Sequence, residues 1–368
     1  MTDQRRVSRR AFAGLLGMGP LAGLGRGMVR AVGGPVTGVS SVDHVSSAAL
    51  SQASPAASPQ VVPGASPDAV EGYAYPEWLV DPAWVMANGA DPAVRVVALT
   101  PAADFAAGHV PGAVGIDWPA FELGDTGEEA ITAWEEAAAA TLAALGVGPD
   151  QTVVAYDGGT LFAARLWWVL DYLGHGDVRI LNGGLPAYLA AGGPVEAGPV
   201  EPEAAVDPYP VRSRPETLAT LDEVLAGLGD EAVVLVDARR PEEYVAGHIP
   251  GAINLPYPAN AEPVPPGLPL PGPAGTPATG AADDPAARPL PLVWKPAADL
   301  RALYADLGVT QVKTVMPYCT TGVRSAVTAF TLRLVGYERV ALYTGSWAEW
   351  ERDPTTPKET GDGSGTPR

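Results

Sequence analysis

Residues 313–335 read KTVMPYCTTGVRSAVTAFTLRLV, and this stretch joins a strand signal, a turn and a helix signal around the only cysteine of the chain. A run at 314–316 of two β-branched residues and a methionine leads into Cys319, and apolar residues at helical spacing follow Arg324. A buried strand that passes through a short polar loop into a helix is typical of α/β proteins. The sequence therefore predicts a strand over 313–318 and a helix over 323–335.

Cys319 is predicted to lie above the first turn of that helix. Backbone N–H groups and the helix dipole favour negative charge there, and Arg324 adds a fixed positive charge. Both effects lower a thiol pKa from its ordinary value of about 8.5, and the thiolate is the reactive form. A lone cysteine is often an inert buried residue, but Gly322 and the polar Thr320 and Thr321 are typical of a tight anion-binding loop. The loop therefore favours a nucleophilic Cys319.

Composition limits the classes of function. A length of 368 residues indicates two domains, and the formal net charge of -19 argues against binding to nucleic acid. One cysteine excludes an intrachain disulfide, and four scattered histidines beside it offer no metal-ligand spacing. We therefore expect no metal, no cofactor and no nucleic-acid partner; nothing in the sequence assigns an oligomeric state.

The N-terminus has the pattern of an export signal. Arginines at positions 5, 6, 9 and 10 precede an apolar, glycine-rich run at 11–25 that is shorter than the roughly 20 residues of a membrane span. The sequence SRRAF at 8–12 resembles the twin-arginine export motif; the alternative is a basic disordered tail. We predict that 1–72 is an export signal with a disordered linker and that the protein is exported, periplasmic or extracytoplasmic, without a stable membrane span.

The chain contains two copies of one unit. Residues 94–113 align without gaps with 233–252, so that GHVPGA at 108–113 matches GHIPGA at 247–252, an offset of 139. Further on, the offset is 162. The difference of 23 residues is accounted for by a Pro-rich insertion at about 256–291, interpreted as a disordered spacer in preference to a lid over a cleft. The predicted domains are 73–198 and 214–353, followed by a disordered tail at 354–368.

Both copies alternate short apolar runs with helical patterns, which predicts parallel sheets covered by helices. Ligands bind such sheets beyond the carboxyl ends of the strands, where Cys319 and Asp237–Arg239 fall. The predicted strands are 94–99, 152–156, 233–236 and 313–318, and the predicted helices are 128–145, 162–173, 221–228, 296–307 and 323–335.

The order of these motifs resembles the tandem-domain rhodanese sulfurtransferases. The second copy carries the family's pieces in order, namely DAR at 237–239, the GHIPGA turn, the cysteine loop at 319–324 and GSWAEW at 345–350. The first copy matches at 156–159, 164–168 and 182–188. The resemblance covers about 73–353 and implies an α/β fold of two tandem rhodanese-like domains, each with a parallel sheet flanked by helices.

The resemblance also implies a chemistry. In the family the cysteine takes a sulfane sulfur from a small anionic donor, becomes a persulfide, and passes the sulfur to a thiophilic acceptor such as cyanide or a thiol. Cys319 is then the nucleophile, Arg239 binds the donor, and Asp237 positions Arg239 through an ion pair. Arg324 is a second candidate for binding the donor; the alternative is that it turns outward into solvent. The loop residues expected to bind substrate or hold the persulfide anion are Thr320, Thr321, Gly322, Val323 and Ser325.

The first domain is predicted to be catalytically silent and to form one wall of the active-site cleft. Its turn histidine, His109, matches His248, so both histidines are predicted to stabilise the turn rather than to take part in catalysis. The replacements at the reactive positions are Asp157 for Cys319, Ala98 for Asp237 and Thr100 for Arg239.

The motifs shared with the family leave two candidates for the sulfur donor, thiosulfate and 3-mercaptopyruvate. Family members that use thiosulfate usually carry basic residues after the cysteine, and those that use 3-mercaptopyruvate usually carry Gly-Ser, whereas this chain has Thr320-Thr321. The sequence favours thiosulfate, with Arg324 partly replacing the missing charge. The alternatives are 3-mercaptopyruvate or a sulfane-sulfur carrier without turnover. A cysteine phosphatase is disfavoured, because its loop places arginine six positions after the cysteine, and here it is five.

Overall fold

The computed structural model describes residues 72–203, 208–263 and 291–362, and within these ranges the two halves of the chain repeat one α/β topology. The proposed export signal and nearly all of its linker lie outside the described residues, as does the centre of the Pro-rich insertion at 264–290. No helix in the described ranges is long and apolar enough to cross a membrane.

The first half forms a parallel sheet in the described residues 72–203, with the strand order β1-β5-β4-β2-β3. The two strands predicted in this half are confirmed at their full length, and both predicted helices are confirmed to within one residue at each end. The strands are β1 (Leu79–Val80), β2 (Val94–Leu99), β3 (Val114–Ile116), β4 (Thr152–Tyr156) and β5 (Val178–Leu181). The helices are α1 (Pro82–Asn88), α2 (Ala102–Ala107), α3 (Glu128–Ala144), α4 (Ala163–Tyr172) and α5 (Gly184–Ala190).

The second half repeats this order, with the parallel arrangement β10-β6-β7. Single parallel bridges from Val315 to Val340 and from Leu218 to Leu342 extend the sheet on the β10 side. The predicted elements are again confirmed within one or two residues. The strands are β6 (Val233–Asp237), β7 (Ile253–Asn254), β8 (Ala261–Pro263), β9 (Leu292–Trp294) and β10 (Thr314–Tyr318). The helices are α6 (Leu221–Ala226), α7 (Pro241–Ala246), α8 (Ala297–Asp306), α9 (Val323–Leu334) and α10 (Ser346–Arg352).

Helices α4 and α9 pack against each other and join the two halves. Every residue of α4 is buried, as expected of a helix that is covered on all sides. The ring of Trp167 meets the ring of Phe330 edge-on at 4.9 Å, and Trp294 meets the same ring at 4.9 Å. Because α9 begins at the Cys319 loop, this packing places the loop at the junction of the two halves.

The segment 354–362, predicted as part of a disordered tail, is ordered, so this part of the prediction is wrong. Glu359 forms an antiparallel bridge with His248, with two backbone hydrogen bonds of 2.9 and 3.0 Å. Its carboxylate accepts a hydrogen bond from the Gly251 N–H at 3.3 Å. The chain is held there because the GHIPGA turn exposes backbone groups that need partners.

The two turn histidines have structural contacts, as predicted. His109 stacks on Phe105 at 4.0 Å, and His248 stacks on Tyr244 at 3.7 Å. In each copy the histidine Nδ1 lies 2.9–3.0 Å from the carbonyl oxygen of its stacking partner. The bridge that closes the second turn also has a counterpart, because Glu196 pairs with His109 in the same way.

Residues 256–263, at the beginning of the Pro-rich insertion, are ordered, which corrects their interpretation as a spacer. We call these residues, together with 291–294 at its other end, the root of the insertion. Strand β8 pairs antiparallel with β9. Leu292 N–H donates to the Gly159 carbonyl at 3.0 Å, and Trp294 N–H donates to the Asn182 side chain at 3.2 Å. The root is therefore attached to the first domain, because its backbone groups find partners there.

Candidate active site

Cys319 follows β10 directly and lies at the carboxyl end of the second sheet, as predicted. Gly322 ends the loop with a φ of +86°, a conformation that glycine adopts without strain, and caps the N-terminus of α9. Its N–H donates to Cys319 Sγ at 3.2 Å. The Cys319 side chain is 2% exposed. The sulfur is therefore recessed, but its contacts are polar backbone groups rather than hydrocarbon alone.

The start of α10 fixes the backbone of the cysteine loop. Trp347 N–H donates to the Cys319 carbonyl at 3.0 Å, and Ala348 N–H donates to the Thr320 carbonyl at 3.1 Å. Cys319 N–H donates to Ser346 Oγ at 3.1 Å. These bonds satisfy the carbonyl groups of Cys319 and Thr320 and tie the loop to the start of α10.

Ser346 contacts the cysteine loop and was not among the site residues predicted from the sequence. It has a φ of +54°, which is costly for a residue with a side chain, and its hydroxyl also donates to the Tyr343 carbonyl at 2.8 Å. The first copy has Gly184 at the same place, with a φ of +60°. The replacement of that glycine in the aligned copies was the signal that could have identified it.

Arg324 is neither free nor turned out into solvent. Its Nη1 and Nη2 donate to the two carboxylate oxygens of Glu243 at 2.7 and 2.9 Å, and Nη2 also donates to Thr320 Oγ1 at 2.6 Å. The ion pair lowers the pKa of Glu243 to about 2. The positive charge of Arg324 therefore lies beside the sulfur, and Glu243 partly neutralises that charge.

The thiol of Cys319 has a lowered pKa. Burial alone opposes ionisation, but the hydroxyl and N–H of Ser325, the charge of Arg324 and the N–H of Thr321 outweigh it, so the pKa lies below the ordinary value. Ser325 Oγ is buried and has no hydrogen-bond partner of good geometry, so its effect on the sulfur is that of a nearby dipole rather than of a formed bond. The anionic sulfur predicted from the sequence is thus supported by the surroundings.

Alkylation of Cys319 by iodoacetamide should therefore follow a pH profile whose midpoint lies below about 8.5, because the thiolate is the reacting form and its pKa is depressed. Arg324→Gln should move the midpoint to higher pH. The rate constant measured against pH in both proteins tests this. A wild-type midpoint at or above that of a free thiol would contradict it.

Asp237 and Arg239 form the predicted ion pair, but it is buried. Arg239 Nε and Nη2 donate to the Asp237 carboxylate at 2.6–3.0 Å, and Nη2 donates to the Gly247 carbonyl at 2.7 Å. The guanidinium is 3% exposed and lies 4.7 Å from the ring centre of Trp347. In this arrangement its guanidinium is held by Asp237 and the GHIPGA turn, and its binding of the donor stays a prediction.

The remaining predicted residues line the loop at different depths. Thr320 and Thr321 are half-buried at its outer side. Val323 is buried and opens α9, and Ser325 is fully buried in its first turn. The structure therefore brings the predicted loop residues together with Cys319, and within the described residues the hydrogen bond to Sγ comes from the Gly322 N–H.

In the equivalent loop of the first domain, the side chain of Asp157 binds the backbone N–H groups of the loop. Asp157 Oδ1 accepts hydrogen bonds from the N–H groups of Gly159 and Thr160 at 2.6 and 2.9 Å, and Oδ2 accepts one from Ala163 at 2.7 Å. A carboxylate thus occupies the N–H cradle that in the second domain surrounds Cys319. This explains how the first copy keeps the fold of the loop without a nucleophile.

The comparisons with known proteins agree with this geometry. The rhodanese-like domain family matches residues 81–191 and 220–353. A protein named thiosulfate sulfurtransferase from Pseudomonas aeruginosa is 32% identical over 290 residues, which cover 76% of this chain and 96% of that protein. A protein named sulfur carrier protein TtuD from Thermus thermophilus is 35% identical over 304 residues, covering 76% and 95% of the two chains.

A solved structure shows the same architecture. SseA from Escherichia coli, described as a 3-mercaptopyruvate sulfotransferase with the rhodanese fold, superposes with a TM-score of 0.59 at 25% identity and covers 73% of this chain and 98% of its own. The resemblance deduced from the ordered motifs is confirmed. With its repeated α/β units and a recessed cysteine in the second of them, the chain belongs to the tandem rhodanese-domain sulfurtransferases, rhodanese-type enzymes that transfer sulfur.

Proposed function

We propose that the protein moves the sulfane sulfur of thiosulfate to a thiophilic acceptor through a persulfide on Cys319. The observation that carries the proposal is the polar cradle of the sulfur, in which the Gly322 N–H donates to Sγ at 3.2 Å and Arg324 lies within the same loop. An anionic sulfur and an anionic donor both require such positive surroundings.

The reaction is a double displacement. The Cys319 thiolate attacks the outer sulfur of thiosulfate, a new S–S bond forms, and the old S–S bond breaks so that sulfite leaves with the bonding pair. The terminal sulfur of the persulfide then carries the negative charge, which the N–H groups of the loop stabilise. Cyanide or a thiolate attacks that sulfur, takes it as thiocyanate or a new persulfide, and restores the Cys319 thiolate.

Thiosulfate is favoured as the donor by the relatives named thiosulfate sulfurtransferase and by the fixed charge of Arg324. Steady-state rates with thiosulfate and with 3-mercaptopyruvate, each with cyanide as the acceptor, test the choice. We expect the higher kcat/KM with thiosulfate. A higher value with 3-mercaptopyruvate would reject thiosulfate as the preferred donor and leave the persulfide mechanism standing.

The ion pair between Arg324 and Glu243 predicts a change in KM for thiosulfate when Glu243 is replaced. Glu243→Gln removes a negative charge that faces the donor through Arg324, so KM for thiosulfate should fall by about threefold to tenfold while kcat changes less. Glu242→Gln is the matched control, because Glu242 carries the same charge on the same helix but is 66% exposed and pairs with Arg240 only, whereas Glu243 pairs with both Arg240 and Arg324. Equal effects of the two substitutions on KM would contradict the role of the pair.

A sulfur carrier without efficient turnover is the second candidate, and the 35% identity to the sulfur carrier protein TtuD favours it. Repeated cycles distinguish the two. An enzyme that is loaded with thiosulfate and discharged with cyanide should produce thiocyanate in large molar excess over protein. A single stoichiometric burst would favour the carrier.

We also propose that the protein is exported through its twin-arginine motif. The support is the sequence pattern at residues 8–12 and the apolar run that follows. In a bacterial host with a twin-arginine export pathway, the wild type should be exported, and replacement of both Arg9 and Arg10 by lysine should retain the protein inside the cell, as judged by fractionation. Equal export of both proteins, or export of neither, would oppose the proposal.

A further inference from the structure

Arg165 is a buried guanidinium of the silent first domain that no step of the reaction above uses. It lies on α4, at the packing contact with the second domain, and is 0% exposed. Its Nη1 donates to Thr344 Oγ1 at 3.0 Å and its Nη2 donates to the Phe121 carbonyl at 2.6 Å. Its Nε is buried without a hydrogen-bond partner.

The charge of Arg165 has no carboxylate ion pair among residues 72–203, 208–263 and 291–362. Its neighbours are instead a hydroxyl, a carbonyl and the ring of Trp168, 4.8 Å from the guanidinium carbon. A buried charge without a counter-charge costs several kcal/mol. An anion close to Arg165 would therefore be stabilised, and Arg165 with it.

The sulfur of Cys319, which can become an anion, lies in the loop next to Arg165. A Cβ atom placed on Gly322 would lie 3.2 Å from Arg165 Nη1, and the N–H of the same Gly322 donates to Sγ. Burial lowers the pKa of Arg165 to about 10, and the charges of Cys319 and, more weakly, Glu122 act in the opposite direction. The guanidinium is therefore still charged at neutral pH and lies against the loop that holds the sulfur.

Arg165 and Arg324 differ in how strongly solvent and neighbouring groups weaken their charge at the sulfur. Arg324 is partly exposed and shares its charge with Glu243, so its field at the sulfur is partly cancelled and screened by solvent. Arg165 is fully buried, where charge interactions are stronger because the local dielectric is low.

We propose that Arg165 is the buried counter-charge of the Cys319 thiolate and persulfide, so that the silent domain supplies a positioning residue for the anionic sulfur. The inference rests on the proposed role of Cys319 as the reacting thiol. A merely structural Arg165 would hold Phe121 and Thr344 together across the junction and leave the ionisation of Cys319 unchanged. The ionisation of the sulfur therefore separates the two roles.

The test is a pH titration of the single thiol in wild type, Arg165→Met and Arg165→Lys, followed by thiolate absorbance and by iodoacetamide alkylation. Removal of the charge should lower the thiolate fraction at neutral pH by about tenfold or more, and Arg165→Lys should restore most of it. Arg165→Gln replaces the methionine variant if that does not fold, because its amide retains a donor for the Phe121 carbonyl.

Arg333→Met is the matched control. Arg333 also lies on the helix contact between the domains, is 13% exposed and stacks over Trp78, but it faces Asp171 at 3.6 Å. Its removal takes the same charge from the same junction and should leave the titration of Cys319 unchanged. An equal shift in Arg333→Met and Arg165→Met would overturn the inference.

The outcomes separate the two proposals. A wild-type thiol that titrates like a free cysteine would remove the basis of the proposed function. A wild-type thiol with a low pKa that Arg165→Met leaves in place would overturn only the role of Arg165.

A further measurement tests the ionisation of Cys319 itself, on which both proposals rest, and needs no substitution at Arg165. Because the folded pKa of Cys319 is depressed, ionisation stabilises the fold above the ordinary thiol pKa, and this stabilisation is lost as pH falls through the folded value. The stability of wild type relative to Cys319→Ser should therefore rise with pH across that window, as measured by denaturant unfolding. Parallel pH dependences of the two proteins would show that folding does not favour the thiolate, and would remove the basis of both the proposed function and the role of Arg165.

Discussion

Cys319→Ser should lower the rate of thiocyanate formation from thiosulfate and cyanide by roughly 10³-fold or more. A serine hydroxyl fits the cradle but is not ionised near neutral pH and cannot hold a sulfane sulfur. Because Cys319 is the only cysteine of the chain, no other thiol can take its place. Mass spectrometry after incubation with thiosulfate should show one added sulfur in the wild type and none in the variant.

This loss of activity must be distinguished from unfolding of the Cys319→Ser protein. A serine hydroxyl can accept the Gly322 N–H that Sγ accepts, so the unfolding midpoint in denaturant should change little at slightly acidic pH, where the stabilisation by the thiolate is reduced. Substantial residual turnover in a folded Cys319→Ser protein would exclude Cys319 as the sulfur-carrying residue.

Gly322→Ala should damage both stability and catalysis. Gly322 has a φ of +86°, and a Cβ atom there would lie 2.8 Å from both the carbonyl oxygen and Oγ1 of Thr344 and 3.2 Å from Arg165 Nη1. Backbone strain and this overlap together should cost about 2–4 kcal/mol of unfolding free energy. Because the Gly322 N–H donates to the sulfur, displacement of the loop should also lower kcat by about 10²-fold.

Gly308→Ala is the matched control for that prediction. Gly308 has a φ of +71° after α8, and a Cβ atom placed on it meets nothing within 4 Å. Its substitution should therefore cost only about 1 kcal/mol for the backbone conformation and leave kcat unchanged. Chemical denaturation and steady-state kinetics of both variants test the pair. Equal losses of stability in the two variants would show that the crowding around Gly322 is unimportant.

Local sequence signals predicted the secondary structure closely. Strands β2 and β4 appear at the predicted residues, and α9 begins at the predicted Val323. These elements are short apolar runs bounded by Gly, Pro or Asp, or helices with a continuous apolar pattern, so their signals lie within the element. The tail at 354–362 was wrongly predicted because its order comes from a partner more than a hundred residues away, the turn at His248.

The sequence by itself determined the repeated α/β units, the single nucleophile and the loss of reactive groups in the first copy, because each depends on residue identity and spacing along the chain. Only the tertiary structure decided the surroundings of the sulfur. The pairing of Arg324 with Glu243, the burial of Arg239 and the approach of Arg165 from the other domain depend on distances between distant segments. Packing sets those distances, and the strength of a charge interaction depends on them and on burial, neither of which is written in a local pattern.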